Sequence, residues 1–392
     1  MGPKKAAQLF VEKNRQASRF VVTLYGSLAA TGQGHLTDTA ILEVMTPIAP
    51  TSIIWLPKVF LPFHPNALMF EAFDISDVLL DSSIVYSTGG GTLSDGQRII
   101  GLSADDDKDI YDMTTITDIM NWCIKTGKSY WEYVQDVEGE TIWEYLDEVW
   151  KVMKAAIHRG LDTEGVLPGP LGLPRKAVSY FTKTKGYRDS LQSRGLIFSY
   201  ALAVSEENAS GGVIVTAPTC GACGVLPSVL YHLETSRELP KIRILRALAT
   251  AGLFGNVVKK NASISGAEVG CQGEIGVACA MAAAAASQLF GNSVAQIEYA
   301  AEMGLEHHLG MTCDPICGLV QIPCIERNAY AAARAFDANL YSSFSDGTHL
   351  VSFDRVVEVM KQTGHDLPSL YKETAEGGLA KGHFIVETDP VC

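Results

Sequence analysis

Three polar, glycine-rich segments interrupt an apolar, alanine-rich stretch, and each sets cysteines beside hydroxyl or amide side chains. The first is Thr216-Ala217-Pro218-Thr219-Cys220-Gly221-Ala222-Cys223-Gly224. The second runs from Asn261 to Glu274 and holds Ser263, Ser265 and Cys271. The third runs from Gly310 to Gly318 with Cys313 and Cys317, and closes with Pro323-Cys324. Thiolates are soft donors that select zinc or iron–sulfur clusters over hard cations. Loop-to-helix junctions rich in small residues expose backbone N–H groups and a positive dipole end, which suit a carboxylate or a thiolate. The same hydroxyls and amides also serve as ordinary helix caps.

Spacing leaves the role of the cysteines open. Cys220-Gly-Ala-Cys223 has the form of a redox dithiol or half a zinc site, but neither a βαβ setting nor a second pair accompanies it. Buried thiols near a turn are the favoured reading there. Cys271, Cys313, Cys317 and Cys324 are separated by 42, 4 and 7 residues, which matches no local zinc-finger or ferredoxin pattern. A metal site assembled from distant loops and a set of packed thiols fit this spacing equally well.

The elements that must position these groups follow from composition. The chain has 392 residues, 47% of them apolar and 19% charged, enough for two or three domains with substantial cores. Acidic residues number 44 against 31 basic, a net charge of −13, which argues against a nucleic-acid partner. The longest apolar run, Ile275 to Ala286, has 12 residues. A membrane span needs about 20, so this run predicts a buried helix and no membrane partner. Nine cysteines without a visible export signal do not form a disulfide framework.

Residues 1–100 mix strand and helix signals and predict a small α+β domain. Phe20 to Tyr25 and Ser83 to Ser87 read as strands, the latter stopped by Gly89-Gly90-Gly91, and Thr39 to Met45 as a helix. Residues 101–144 predict an acidic linker, opened by Asp105-Asp106-Asp107, and a helix within Trp131 to Trp150. From 145 to 392 strand signals fade, and helices are predicted over 242–254, 274–290, 293–308 and 325–335.

The motifs Ser-Gly-Ala-Glu-Val-Gly-Cys-Gln-Gly-Glu (265–274), Gly-Leu-Glu-His-His-Leu-Gly-Met-Thr-Cys-Asp-Pro (304–315) and Val-Gln-Ile-Pro-Cys-Ile-Glu-Arg-Asn-Ala (320–329) resemble those of the bacterial-type iron–sulfur L-serine dehydratases. So do Thr216 to Gly224, Arg159-Gly160-Leu161 with Leu167-Pro168-Gly169, Tyr25 to Leu28 with Gly34 to Asp38, and His64-Pro65-Asn66. The resemblance covers nearly the whole chain. It implies a regulatory-type α+β N-terminal domain, apparently truncated here, on an all-helical catalytic domain. It also implies a 4Fe–4S cluster on Cys271, Cys313 and Cys324, with Cys392 as a tail ligand to the remaining iron. Cys317 falls where the family usually has glycine. A homodimer, a cytoplasmic setting and a place in amino-acid catabolism and gluconeogenesis are implied by the same resemblance.

The implied reaction is dehydration of L-serine to aminoacrylate, which hydrolyses to pyruvate and ammonia, without pyridoxal phosphate. An open iron binds substrate as a Lewis acid, and a base removes the Cα proton. The family draws active-site groups from the N-terminal motifs, which makes His35, His64 and Ser87 the catalytic candidates. Asn208, Thr216, Thr219, Asn261, Ser263 and Ser265 are candidates to hold substrate. Two departures bear on activity. The family's Gly-Pro-Ser-Ser-Ser-His-Thr segment is absent ahead of Gly2-Pro3, and the stretch between Asp38 and His64 is short. The rival readings are an iron–sulfur L-cysteine desulfidase, a catalytically impaired binding or regulatory homologue, and a C-x-x-C oxidoreductase.

Overall fold

A computed structural model describes residues 1–101, 110–375 and 377–381. It divides into a sheet-bearing N-terminal unit and a helical remainder, the α+β and all-α combination expected. The acidic run at 105–107 and Cys392 lie outside the described residues.

The N-terminal unit is built on six strands: β1 (Arg19–Tyr25), β2 (Thr51–Leu56), β3 (Ala67–Phe73), β4 (Leu79–Gly89), β5 (Thr92–Ser94) and β6 (Ile99–Ile100). Their order is β2-β1-β3-β4-β5-β6. β1 and β2 are parallel, and every other neighbouring pair is antiparallel. A parallel pair requires a crossover, which here is formed by helices Gly26–Thr31 and Thr37–Met45. Five consecutive residues of β1 are buried, the pattern of a central strand with both faces covered. Phe10 of helix Gly2–Lys13 stacks on Phe70 at 5.3 Å and meets Phe20 edge-on at 6.2 Å. Ile41 and Met45 complete this core.

The helical unit is centred on helix Ile275–Phe290, in which every residue except Gln288 and Phe290 is buried. Its alanine run presents so little side chain that Val225–Ser236, Lys241–Asn261, Val294–Glu306 and Cys324–Ser343 pack against it on all sides. Helices Ile116–Thr126 and Tyr130–Glu138 join the same continuous core through Ile116, Ile119, Tyr130 and Tyr133. The stretch 131–150 is two helices, not one. Gly139, at φ 76°, ends the first, and Ile142–Asp162 follows. Among the described residues, no single helix is long and apolar enough to cross a membrane.

Two buried histidines give this core a pH dependence. His232 shares one hydrogen bond through Nε2 with Ser193 Oγ at 2.8 Å, and its Nδ1 has no partner among the described residues. His308 Nδ1 bonds the Gly304 carbonyl at 2.7 Å. Burial pushes both down to about 4, against an unfolded value near 6.5. The unfolded chain therefore binds more protons between those values. The stabilisation is full above pH ~6.5 and is lost as pH falls toward 4, by about 3 kcal/mol for each group. Urea unfolding between pH 7 and 4.5 should show this loss, and His232→Gln should flatten its slope.

Candidate active site

A cavity of ≈ 650 Å³ lies between the two units. The N-terminal unit contributes His35, Asn66 and Ser87, and the helical unit contributes Asn208, Thr216, Thr219, Cys220, Ser265, Glu274 and Glu373. His35 sits on the turn between the two crossover helices, its N–H donating to Thr31 O at 3.1 Å. That turn touches the third polar segment. A Cβ on Gly34 would stand 2.2 Å from the Gly318 carbonyl oxygen, so glycine is required for the contact. Ser87 is placed by the end of β4, where its N–H donates to Asn66 O at 2.9 Å.

Asn208 enters the cavity from the end of helix Asp189–Ala209, held by the buried Glu207. Arg159 Nε donates to Glu207 Oε2 at 2.9 Å and Arg175 Nη1 to Oε1 at 3.1 Å. Glu207 O also accepts from Gly212 N at 2.8 Å. A carboxylate gripped by two guanidiniums at a chain reversal fixes the loop that carries Asn208 toward the cavity.

Two thiols meet at Glu274, which lines the cavity. Cys271 Sγ and Cys313 Sγ lie 3.7 and 3.6 Å from Glu274 Oε2, and the ligand atoms of these three residues all fall within 4.8 Å of one another. Thr219 Oγ1 donates to the other oxygen of Glu274 at 2.7 Å. Cys324, buried, begins helix Cys324–Ser343. Arg327, on the next turn, faces Cys271 and Cys324. Its Nη1 donates to Thr312 O at 2.6 Å.

The hydrogen bond with Cys271 and burial push the Cys313 thiol well up, and burial does the same to Cys324. Without a cation these groups stay protonated. A coordinated metal reverses that balance and deprotonates them. A Cβ on Gly266 would come within 2.6 Å of Glu274 Oε2 and 3.2 Å of Cys313 Sγ, so bare backbone leaves the thiols unobstructed. Soft thiol donors beside a guanidinium and under an open backbone are compatible with an iron–sulfur cluster, and Cys271, Glu274 and Cys313 are the donors brought together here.

Asn328 ties the first polar segment to the helix that bears Cys324. Its Oδ1 accepts from Gly224 N at 2.8 Å, and its Nδ2 donates to Gly221 O at 2.7 Å and Cys324 O at 2.8 Å. Asn328→Ala strands a buried N–H and a buried carbonyl. It should cost about 3 kcal/mol, measured by urea denaturation, and loosen the loop carrying Thr219 and Cys220.

The residues singled out from sequence divide into two groups. His35, Ser87, Asn208, Thr216, Thr219 and Ser265 line the cavity. His64, Asn261 and Ser263 do not. His64 is buried behind it, with Nδ1 accepting from Asn66 N at 3.0 Å and Nε2 facing Glu268 Oε1 at 3.5 Å. Ser263 hydrogen-bonds the same Glu268 and accepts from Ser265 N. Asn261 Nδ2 donates to Thr114 O at 2.7 Å.

Glu274, Glu373 and Cys220 were not singled out as site residues. Glu274 stands three residues after Cys271, and that spacing on a tight turn was the signal available. Cys223 is buried, as the packed-thiol reading expected. Cys220 instead reaches the cavity, 3.6 Å from His35 Nδ1. Burial and Glu274 push its thiol up to about 12.

Comparisons with known proteins agree with this arrangement. The sequence profile of the serine dehydratase alpha chain family matches residues 15–380. The chain is 38% identical to L-serine dehydratase of Streptomyces coelicolor and 40% identical to L-serine dehydratase TdcG of Escherichia coli, in each case over 97% of this chain and 94% of the relative. It is 37% identical to L-serine dehydratase of Haemophilus influenzae over the same shares. The alignment to the Streptomyces protein spans 431 positions, more than the 392 residues of this chain, so that relative carries internal segments absent here. With the match running through both units and through all three polar segments, the chain belongs to the serine dehydratase alpha chain family.

Proposed function

We propose that the cavity dehydrates L-serine to aminoacrylate, which leaves as pyruvate and ammonium, and that the enzyme is a 4Fe–4S L-serine ammonia-lyase. The observation that carries this reading is the convergence of Cys271 and Cys313 on Glu274, whose side chain lines the same cavity as His35. Cys271, Cys313 and Cys324 would hold the cluster, with Cys392 as the tail ligand on resemblance alone. When bound, the cluster supplies a Lewis acid for a hydroxyl that is otherwise a poor leaving group. The remaining work falls to the chain's own residues. Thr216, Ser265 and Asn208 offer hydrogen bonds to the substrate carboxylate, while Glu274, held by Thr219, faces its ammonium. His35 takes the Cα proton, and the β-hydroxyl departs as water. The enamine product tautomerises and hydrolyses. A homodimer is part of this reading, again on resemblance.

The test is release of pyruvate by anaerobically reconstituted protein from L-serine and, in parallel, from L-cysteine. Turnover of serine in proportion to bound iron supports the reading. Faster pyruvate release from cysteine replaces it with a desulfidase. Folded, iron-loaded protein inert toward both marks an impaired homologue, in line with the missing internal segments.

A further inference from the structure

Glu373 stands 338 residues from His35 in sequence, yet the fold sets its carboxylate on the same cavity. Its Oε1 is 3.9 Å from His35 Nε2 and 3.5 Å from Thr31 Oγ1, and Asn66 hydrogen-bonds it as well. Its side chain is only 14% exposed. The backbone there is unusual for glutamate, at φ 47° in the left-handed region, where a non-glycine residue is strained by about 1 kcal/mol or more.

The strain is held by a bracket around a proposed cluster ligand. Cys313 N donates to Tyr371 O at 2.8 Å, and Thr374 N donates to Cys313 O at 3.2 Å. The segment is thereby locked to Cys313, and the left-handed turn directs Glu373 back across the unit boundary to His35. The other imidazole nitrogen, Nδ1, faces Cys220 Sγ at 3.6 Å.

We infer that Glu373 is a positioning residue for His35: its carboxylate, 3.9 Å from Nε2, favours the proton on that nitrogen, fixes that tautomer, and leaves Nδ1 as the nitrogen that takes the substrate proton. The logic is that of any carboxylate that orients an imidazole base through its far nitrogen. This deepens the reading of His35 as the base and rests on it. The charged and titratable groups around the ring are Glu373 from the C-terminal segment, Cys220 from the first polar loop, Glu274 behind Cys220, and the Met1 amine, which acts on Cys220. Removing Glu373 removes the one carboxylate among the described residues that stands against Nε2, so the imidazole loses an anion that favours its protonated form.

The experiment compares iron-loaded wild type, Glu373→Gln and Glu373→Asp. Carbethoxylation of His35 by diethyl pyrocarbonate, located by peptide mass spectrometry across pH, reads when the ring is unprotonated and needs no turnover. Serine turnover across pH reads the base. In Glu373→Gln, His35 should become reactive at lower pH than in wild type. The acid limb of kcat/KM should move the same way, and kcat should fall about 10–100-fold at unchanged iron content. Glu373→Asp should restore part of the loss.

Unchanged His35 reactivity in the glutamine variant, at full iron content, overturns the inference. Should Glu373→Gln fail to bind iron, Glu373→Asp is decisive: a His35 reactivity profile identical to wild type overturns the inference, and an intermediate one supports it. If wild type does not turn over serine, the reactivity profile still decides the pairing, so the failure of the proposed function is seen separately.

Discussion

Cys313→Ala should yield a folded protein that binds almost no iron, lacks the broad visible absorbance of an iron–sulfur cluster and has lost serine turnover by more than about 10³-fold. Cys313 is the thiol most embedded in the site. Its sulfur lies by Glu274 and Cys271, and its backbone N–H and carbonyl are both engaged by the segment 371–374. No other thiol can move into its place without breaking those bonds. Cys271→Ala and Cys324→Ala should behave alike, since a cluster missing one of its protein ligands loses the geometry that retains it. The control lies in the remaining buried cysteines. Cys123, Cys223 and Cys279 are buried away from the cavity, so alanine there should change stability and leave iron per chain intact. Iron and acid-labile sulfide, measured with the visible spectrum under anaerobic conditions, separate the two outcomes. Loss of iron in the control variants, or its retention in Cys313→Ala, would remove the cluster assignment.

The second large effect separates the two histidines. His35→Asn should lower kcat by about 10²–10⁴-fold, the usual worth of a positioned general base, with iron content and thermal midpoint close to wild type. The side chain lies on a cavity wall at a surface turn, and asparagine occupies its place without burying a new charge. His64→Gln should do the reverse. His64 is 3% exposed, and it bridges the Asn66 backbone to Glu268. The facing imidazole of His64 and a hydrogen bond from Ser263 hold the Glu268 carboxyl below its usual range despite burial. Loss of the imidazole leaves that carboxylate under-paired, which should cost about 2 kcal/mol and affect turnover chiefly through the Ser263–Gly266 loop. Kinetics with unfolding midpoints on both variants check the contrast. Equal losses of kcat at equal stability would count against His35 as the single base.

Much of the architecture was legible along the chain, where signals are local. β1 is a β-branched and aromatic run that stops at Gly26, and the helix Ile275–Phe290 is an alanine-rich run with Gly291 at its end. Local signals misled where an element lacks its pattern. β3, Ala-Leu-Met-Phe-Glu-Ala-Phe, is central in the sheet and carries too little alternation to declare itself. The aromatics from Trp131 to Trp150 keep a helical period across Gly139, so one helix was expected where the chain makes two.

The residue types offered soft donors beside hydroxyls and amides, which left a metal site and packed thiols as equal readings until the motifs were compared with a family. They also announced two units, since composition changes along the chain. Which histidine faces the cavity, which carboxylate stands behind it, and which thiol of Cys220 and Cys223 is exposed to it were all settled by packing. Those outcomes depend on contacts among Gly34 and Gly318, Cys313 and Tyr371, and Asn328 and Gly224, pairs 284, 58 and 104 residues apart. A side chain's direction and burial are properties of such contacts, and nothing in its immediate neighbours encodes them.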